Sequence, residues 1–302
     1  MKKPANSTFT RRKFITTTAI SAGSLVLLSH PSFASGLSAQ KQYTVQQVID
    51  LIMKEVNLSP ITNTVDTLKS GDAGQIVTGI VTTMFATVAV IEQAAKLNAN
   101  FIIAHEPTFY NHTDNPDWVK DNAIVKQKQA LLKKHNITVW RFHDYCHSLK
   151  PDAVAYGVVK KLNWLPYYKA GDNTMNIPPV SLQQLVQHLK SSLGIAHLRI
   201  IGNLNQQCQR VTLMPGAPGG QRQIGAAIAQ KPDVLIVGEV AEWETAEYIR
   251  DAHLLGANIS LIILGHNLSE DPGMEYFVDW LQPKLTGVKV THIKSGDPFT
   301  WL

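Results

Sequence analysis

The chain has 302 residues, of which 44% are hydrophobic and 17% are charged, a composition typical of a globular protein with a substantial core. The formal net charge of +5 equals the five basic residues among the first thirteen positions, and the other 23 basic residues balance the 23 acidic ones. This distribution excludes a broad basic surface, so we expect no nucleic-acid partner.

The first 34 residues have the pattern of an export signal. Arg11 and Arg12 precede a moderately apolar stretch, and small residues follow up to Ala34. This pattern resembles a twin-arginine-type signal peptide at 1–34, cleaved after Ala34, and it predicts an exported, periplasmic protein. The alternative is a retained signal anchor. The apolar stretch is short and contains several Thr and Ser residues, so we expect no stable membrane anchor.

Helical and strand patterns alternate from Thr44 onwards. Residues 44–56 place apolar side chains at helical spacing after a threonine that can cap a helix. The β-branched run at 76–83 predicts a strand, 86–99 a helix and 100–105 a second strand. A crossover of this length is typical of a βαβ unit with parallel strands.

The alternation continues to residue 266 and predicts an α/β fold with mainly parallel or mixed sheets. The segments 151–157 and 165–180 are loop-like, and the second is the best candidate for a boundary or an inserted loop. The two cysteines, Cys146 and Cys208, are expected to be free or buried thiols. Further helices are predicted at 122–136, 182–194, 223–230 and about 241–255, and further strands at 137–144, 210–216, 233–239 and 259–266.

Four predicted strands end in histidine or carboxylate residues. In a parallel α/β sheet the carboxyl ends of the strands form the edge where ligands bind. Imidazole nitrogens and carboxylate oxygens bind Zn, Mn, Fe and similar ions, and several such groups suit two ions that activate one water. The pattern therefore predicts a metal site at these strand ends. Its candidate residues are His105, Glu106, His143, His147, Glu239, His266 and Glu270.

Each of these signals has a structural alternative. A single histidine after a strand is more often a hydrogen-bonded structural residue than a ligand. His143 is equally consistent with a residue that orients a ligand and with a turn residue, and Glu239 could cap the following helix. The Gly219–Gly220 turn could hold an anion at a helix N-terminus, although such pairs more often form only a tight turn. Six further histidines after the predicted signal are interpreted as surface or packing residues: His112, His135, His188, His197, His253 and His292.

Three segments of the chain resemble the Nif-three-like dinuclear metal-centre family, also named the GTP cyclohydrolase I type 2 family. They are residues 77–110, "GEVAEWETAEYIRDAHLLGANISLIILGHNLSEDPGM" and the terminal "SGDPF". The resemblance implies two three-layer α/β/α lobes with a metal site between them, usually assembled as a toroidal homo-hexamer. We expect the first lobe to comprise 41–150 plus 267–302 and the second to comprise 151–266.

The resemblance also implies a set of metal ligands. The family's pattern is a His-His pair after the first strand, an Asp four residues after a His, and a Gly-His-x-x-x-Glu segment. The sequence departs from this pattern at Glu106, where the family has His, and at His147, where it has Asp. Because the two departures compensate, three histidines and two carboxylates remain, and we expect two divalent metal ions per chain. The matching positions are His105, Glu106, His147, His266 and Glu270, and His143 matches the His that precedes the family's Asp.

These features predict an exported metal-dependent hydrolase with an unknown small-molecule substrate. A water held between the two ions would be the nucleophile, and Glu239 or His143 would handle protons. One alternative is a non-catalytic metal-binding or scaffold hexamer, since a catalytic ion needs an open coordination position. A structural oligomer with a vestigial metal site is another. The alternative enzyme is a cyclohydrolase that acts on a nucleotide-like ring.

Overall fold

Two five-stranded sheets carry the fold in the computed structural model, which describes residues 41–57 and 59–302. The predicted signal peptide at 1–34 lies outside the described residues. The strands are β1 (Leu68–Ser70), β2 (Ile80–Thr83), β3 (Phe101–Ala104), β4 (Thr138–Arg141), β5 (Thr174–Ser181), β6 (Arg199–Ile201), β7 (Gln207–Met214), β8 (Val234–Val237), β9 (Ser260–Ile263) and β10 (Val290–His292).

Helices cover and connect the two sheets. Short 3-10 helices occur at Pro116–Val119, Leu165–Tyr167 and Gln282–Lys284, and a π-helical turn occupies Glu242–Ala246. The α-helices are α1 (Val45–Val56), α2 (Val88–Lys96), α3 (Ala123–Lys134), α4 (Asp144–Ser148), α5 (Ala153–Lys161), α6 (Leu182–Leu193), α7 (Gly220–Gln230), α8 (Glu247–Leu254) and α9 (His266–Leu281).

Both sheets are mixed, with parallel strands at the centre and an antiparallel strand at one or both edges. The first has the order β1-β4-β3-β2-β10, and only β1 runs antiparallel to its neighbour. The second has the order β5-β7-β8-β9-β6, with both edge strands antiparallel. Every residue of β2, β3, β4, β8 and β9 is buried, as expected for strands covered on both faces. These sheets confirm the predicted α/β class, and the lobe boundaries stay a prediction.

The central strands of each sheet end level with one another. Thr83 pairs with Ala104, and Ala104 pairs with Arg141, at the last positions of β2, β3 and β4. In the second sheet the last residues of β7, β8 and β9 pair in the same way. The residues that follow these strands therefore emerge along one edge of each sheet.

Two of the predicted helices begin with reciprocal capping hydrogen bonds. The Thr44 side chain accepts from the Gln47 backbone N–H, and the Gln47 side chain accepts from the Thr44 N–H. Ser181 and Gln184 form the same arrangement at α6. Helix α6 ends at Gly194, which has a left-handed φ of 69°, so the predicted end of this helix is confirmed.

Two segments expected to be loops are instead ordered elements. Residues 174–181 form β5, which pairs antiparallel with β7 at the sheet edge. Its two prolines gave the sequence the pattern of a loop. An edge strand tolerates proline, however, and the register of the β5–β7 pairing shifts between Asn176 and Val180. Residues 153–161 form α5, whose Gly157 packs directly against the backbone of Pro272. Tertiary packing thus determines both elements.

Both cysteines are free and buried, as expected. Burial raises the pKa of Cys146 well above its ordinary value and that of Cys208 to about 11. Among the residues that the structure describes, none of the helices is both long and apolar enough to span a bilayer.

Candidate metal centre

The seven residues singled out in the sequence come from both sheets and meet at one place. His105 and Glu106 directly follow β3, whereas His143 and His147 begin and end the short turn of α4 after β4. Glu239 follows β8. His266 and Glu270 lie one turn apart at the start of α9, after β9.

Two overlapping trios of donor groups lie close enough to hold metal ions. One comprises His105, His143 and His147, and the other comprises His105, Glu106 and Glu270. Within each trio the donor atoms lie within 4.8 Å of one another. His266 adjoins the second trio, because its Nε2 lies 3.1 Å from Glu270 Oε2 and 3.3 Å from Glu106 Oε1. His105 is the residue that the two trios share.

The His105 imidazole is fully buried, and only one of its nitrogens has a partner. Nδ1 lies 3.1 Å from the Phe142 carbonyl oxygen, which can only accept, so Nδ1 carries the proton. Nε2 has no hydrogen-bond partner among the described residues and lies 3.9 Å from Glu270 Oε2. Burial, together with the nearby His147, lowers the pKa of His105 well below its ordinary value. The side chain therefore presents a neutral nitrogen lone pair to the centre.

Glu106 is held by a buried arginine that was not among the predicted site residues. Arg141 Nη2 donates to Glu106 Oε2 at 3.2 Å, and Arg141 Nε donates to the His105 carbonyl at 3.1 Å. The same guanidinium donates to the His112 carbonyl, and its side chain is fully buried. Burial alone would raise the pKa of Glu106, but the hydrogen bond to His266 and the adjacent histidines lower it to about 2. Glu106 is therefore an ionised carboxylate.

His147 is oriented by a second residue that was missed. Its Nδ1 lies 3.1 Å from Asp152 Oδ2, while Asp152 Oδ1 accepts from the backbone N–H groups of Val154 and Ala155 at the start of α5. Burial acts to lower the pKa of His147, but the hydrogen bond that its Nδ1–H donates to Asp152 outweighs it and raises the pKa. A carboxylate on one nitrogen directs the other toward the centre, as in many metal sites.

His143 is positioned by two aspartates in the same manner. Asp144 Oδ1 lies 3.0 Å from His143 Nδ1, and Asp66 accepts backbone N–H bonds from residues 143, 144 and 145 at 2.7–3.0 Å. The His143 ring stacks on His105 with centroids 4.7 Å apart. Its Nε2 lies 3.6 Å from Glu106 Oε1. His143 is thus a fixed imidazole of the first trio whose Nε2 lies beside the Glu106 carboxylate.

His266 lies among three carboxylates. Its Nε2 contacts Glu106 and Glu270, and its Nδ1 lies 3.2 Å from Glu239 Oε2. Burial lowers the pKa of His266, but the hydrogen bonds to Glu106, Glu239 and Glu270 raise it to about 12. In the metal-free protein this side chain is therefore an imidazolium. The hydrogen bond to His266 in turn lowers the pKa of Glu239, whose side chain is 56% exposed.

Close backbone approaches fix the position of Glu270. Gly216 has a φ of 70°, and a Cβ at this position would collide with the Glu270 carboxylate. Gly216 N–H donates to Ser269 Oγ at 2.9 Å, and Ser269 Oγ donates to the His266 carbonyl at 2.7 Å. The loop after β7 is therefore tied to the first turn of α9, which carries His266 and Glu270.

The Gly219–Gly220 turn shows no free anion cradle. The carboxylate of Glu244 occupies the space into which a Cβ at Gly220 would point, at the N-terminus of α7. An acidic side chain of the protein itself thus lies where an anionic ligand would bind. The tight-turn interpretation fits this geometry better than the anion-binding one.

The residues present fit a metal centre. A fully buried imidazole nitrogen without a partner is unfavourable in the absence of a ligand. It lies beside the carboxyl groups of Glu106 and Glu270, and two neighbouring histidines have an aspartate on Nδ1. A mixed set of imidazole and carboxylate donors suits Zn, Mn or Fe. The structure therefore supports metal binding at these residues.

Comparison with known proteins gives the chain's family. The sequence profile of Duf34/NIF3 (NGG1p interacting factor 3) matches residues 64–298. A relative from Clostridium perfringens named "GTP cyclohydrolase 1 type 2 homolog" is 25% identical over 220 residues, which are 68% of this chain and 78% of that protein. A protein of the same name from Escherichia coli K12 is 24% identical over 258 residues, 82% of this chain and 96% of its own length.

Solved structures with the same fold cover nearly the whole described chain. A hypothetical protein from Staphylococcus aureus has a TM-score of 0.69 at 19% identity and covers 86% of this chain and 99% of its own. A Bacillus cereus protein related to NIF3 has a TM-score of 0.65 at 17% identity, with 87% of this chain and 100% of that chain covered. The family resemblance seen in the sequence is confirmed, and the chain belongs to the DUF34/NIF3 family.

Proposed function

We propose that this protein binds two divalent metal ions and is a metal-dependent hydrolase of a small molecule. The observation that carries the proposal is the buried, unpartnered Nε2 of His105, at the residue that the two donor trios share. The two overlapping trios mark two potential metal positions side by side, which is the arrangement that two-ion hydrolases use, and His105, with one free nitrogen, would bind one of the two ions.

The proposed ligands are the five residues expected from the sequence. When bound, the ions would polarise the bond to be broken and activate a water molecule. Binding requires His266 to lose a proton, because its imidazolium form has no free lone pair. Glu239 Oε2 then accepts from His266 Nδ1–H and keeps Nε2 facing the centre. The ligands are His105, Glu106, His147, His266 and Glu270.

His143 is the proposed proton acceptor. Asp144 accepts the Nδ1 proton, so Nε2 is the basic nitrogen, and it lies beside the Glu106 carboxylate. An imidazole oriented in this way can take a proton at Nε2 and return it to a leaving group. Glu239, the other residue predicted to handle protons, is more exposed and is better suited to hold the proton on His266 Nδ1.

Export and assembly are part of the proposal. The twin-arginine-type pattern at 1–34 supports a periplasmic location, and that route carries folded proteins that have already acquired their metal. Membership of the DUF34/NIF3 family supports a homo-hexamer. Replacement of Arg11 and Arg12 by lysine is expected to leave the uncleaved chain in the cytoplasm, as measured by fractionation and immunoblotting.

A cyclohydrolase activity is the second candidate, because two relatives bear the name "GTP cyclohydrolase 1 type 2 homolog". Ring opening of a purine is also a hydrolysis, and the proposed centre could supply the water for it. GTP therefore belongs among the substrates to be tested.

The test is a substrate panel on mature, metal-loaded protein. It contains amides, carboxylic esters, phosphoesters and GTP, and it compares the wild type with His266→Ala and with His197→Ala, a control histidine that is exposed. We expect hydrolysis of one class, at least about 100-fold slower in His266→Ala and unchanged in the control. Full activity in His266→Ala would overturn the proposed mechanism.

A further inference from the structure

A cleft of about 270 Å³ lies directly beside the metal centre. His147 and Glu270 both line it, so a molecule bound in the cleft touches two of the proposed ligands. Helix α5 and strand β7 supply much of the wall through Val154, Ala155 and Leu213. The cleft is therefore formed mainly by the second sheet and its helices and opens onto donors from both sheets.

The wall of this cleft is predominantly apolar. Val154, Val159, Met175 and Leu213 are each at most 5% exposed, and they form a fixed hydrophobic surface. Met214, Pro215 and Pro218 add further apolar groups after the end of β7. Such a surface favours binding of a hydrocarbon group, because each methylene that moves from water into the cleft makes the free energy of binding more favourable.

The polar groups of the cleft select against anions. Its ionisable residues are His147, Tyr168 and three carboxylates, Asp152, Asp172 and Glu270, with no lysine or arginine among the described residues that line it. Lys169 pairs with Asp172 at 3.5 Å, but its side chain is 83% exposed and does not line the cleft. Phosphate groups are normally bound by arginine, lysine or free backbone N–H groups. The N-terminus of α7, beyond Pro218, is already covered by Glu244.

We propose that this cleft is the substrate pocket and that it accepts the apolar group of an uncharged acyl compound, an amide or a carboxylic ester. The inference rests on the proposed hydrolase function and narrows its substrate class. The apolar group would lie against α5 and β7, and the carbonyl would lie at His147 and Glu270. A nucleotide or another polyanion is disfavoured in the cleft away from the ions, because its phosphates would there face Asp152 and Asp172.

The reaction inferred for this pocket is a simple acyl hydrolysis. The bond between the carbonyl carbon and the leaving nitrogen or oxygen breaks, and the oxygen of one water forms a bond to that carbon. One hydrogen of the water ends on the leaving group, and the other is released from the carboxylic acid product. Neither an oxidant nor a reductant is required.

The cleft can be tested by binding alone, with straight-chain amides from propanamide to octanamide as probes. Dissociation constants are measured by ligand-observed NMR on mature protein, both metal-free and zinc-loaded, beside inorganic phosphate and GTP. We expect the affinity to rise about three- to four-fold with each added methylene until the cleft is full. Phosphate and GTP should bind the metal-free protein more weakly than the longer amides.

Two variants outside the metal centre assign the binding to this cleft. Ala155→Trp fills the cleft from α5 and should abolish the dependence on chain length, whereas Ala155→Ser is the matched control and should retain it. Met214→Ala enlarges the cleft and should extend the rise in affinity to longer chains. Thermal unfolding and metal content, measured for each variant, separate a filled cleft from a misfolded protein.

The outcomes separate this inference from the proposed function. Length-dependent binding that Ala155→Trp abolishes supports the pocket, and it does so even if the protein holds no metal, in which case only the hydrolase proposal fails. Affinity independent of chain length in a metal-loaded protein overturns the pocket and leaves metal binding intact. Tighter binding of GTP or phosphate to the metal-free protein than of octanamide, sensitive to Ala155→Trp, also overturns it.

Discussion

Arg141 gives the buried carboxylate of Glu106 its permanent counter-charge. A charge removed from water is strongly unfavourable unless it is paired and hydrogen-bonded. The guanidinium meets this need on β4, and it also donates to two backbone carbonyls of the loop that carries Glu106. An arginine inside an apolar strand is itself a sequence signal of this kind, because arginine is rarely fully buried without a partner.

Loss of Arg141 should destabilise the metal-free protein. In Arg141→Met the buried Glu106 carboxylate loses its arginine and keeps only its histidine partners, and we expect a loss of about 3 kcal/mol in the free energy of unfolding. Urea unfolding with a chelator present measures this change. The double variant Arg141→Met/Glu106→Gln should regain part of the loss, since it removes the buried charge. A single-variant loss below about 1 kcal/mol would contradict the importance of the pair.

Asp152 should affect metal affinity more than stability. Asparagine caps a helix about as well as aspartate, so Asp152→Asn preserves the start of α5 but weakens the hold on His147 Nδ1. We expect zinc affinity to fall about 10- to 100-fold, as for other residues that orient metal ligands. Competition with a chromophoric chelator measures the affinity. Asp279→Asn, which breaks only an exposed pair with Lys160, serves as the control and should change nothing.

His266 should make the stability of the metal-free protein depend on pH. Its pKa rises from an ordinary value of 6.5 to about 12, so its contribution is complete below pH 6.5 and is lost as the pH rises toward 12. Glu106, whose pKa falls from 4.5 to about 2, contributes above pH 4.5 and loses that contribution as the pH falls toward 2. The stability difference between wild type and His266→Gln should therefore be larger at pH 6 than at pH 10. Urea unfolding at both pH values measures it, and equal differences would contradict this interpretation.

At the scale of whole elements, α5 and α9 cross at glycines. A Cβ at Gly157 would collide with the Pro272 backbone, and a Cβ at Gly273 would collide with the backbone of Val154. Both helices carry parts of the centre, since Asp152 caps α5 and His266 begins α9. The close crossing therefore sets the distance between Asp152, which orients His147, and the proposed ligands of α9.

Widening this crossing should weaken both the fold and the centre. Gly157→Ala forces α5 away from α9, and we expect a loss of about 1–3 kcal/mol in the free energy of unfolding, together with lower zinc affinity. Gly225→Ala is the matched control, because its Cβ would meet no atom of the described residues within 4 Å inside α7. That substitution should stabilise the protein by about 0.5–1 kcal/mol. Equal effects of the two substitutions would contradict the role of the crossing.

The sequence predicted elements well where local signals and burial agree. Strands β3, β4, β8 and β9 are short apolar runs, and α1 and α6 have capping residues, so their periodicity was readable. Strand β5 and helix α5 were hidden because proline and glycine normally interrupt such elements. Here the prolines sit on an edge strand, and Gly157 serves a helix crossing. Both depend on neighbours that are distant along the chain.

The residues of the candidate centre divide in the same way: strand-end positions can be read from the sequence, whereas contacts made by folding cannot. Strand-end positions alone placed all seven chosen side chains near one another, because parallel strands align their carboxyl ends. Arg141, Asp152 and Asp66 were missed because their roles are contacts with residues brought near by folding. In the structure Glu106 pairs with Arg141, and His147 pairs with Asp152. The carboxylate at position 106 and the imidazole at position 147, where the sequence departs from the family pattern, therefore each have a partner of matching chemistry.

Metal content tests the central claim most directly. Mature protein from the exported fraction is analysed by mass spectrometry for metals, beside Glu106→Gln, His147→Ala and the control His197→Ala. We predict about two transition-metal ions per chain in the wild type and the control, and a clear loss in both centre variants. A folded wild-type protein without metal, both after export and after incubation with zinc, manganese or iron, would contradict the account.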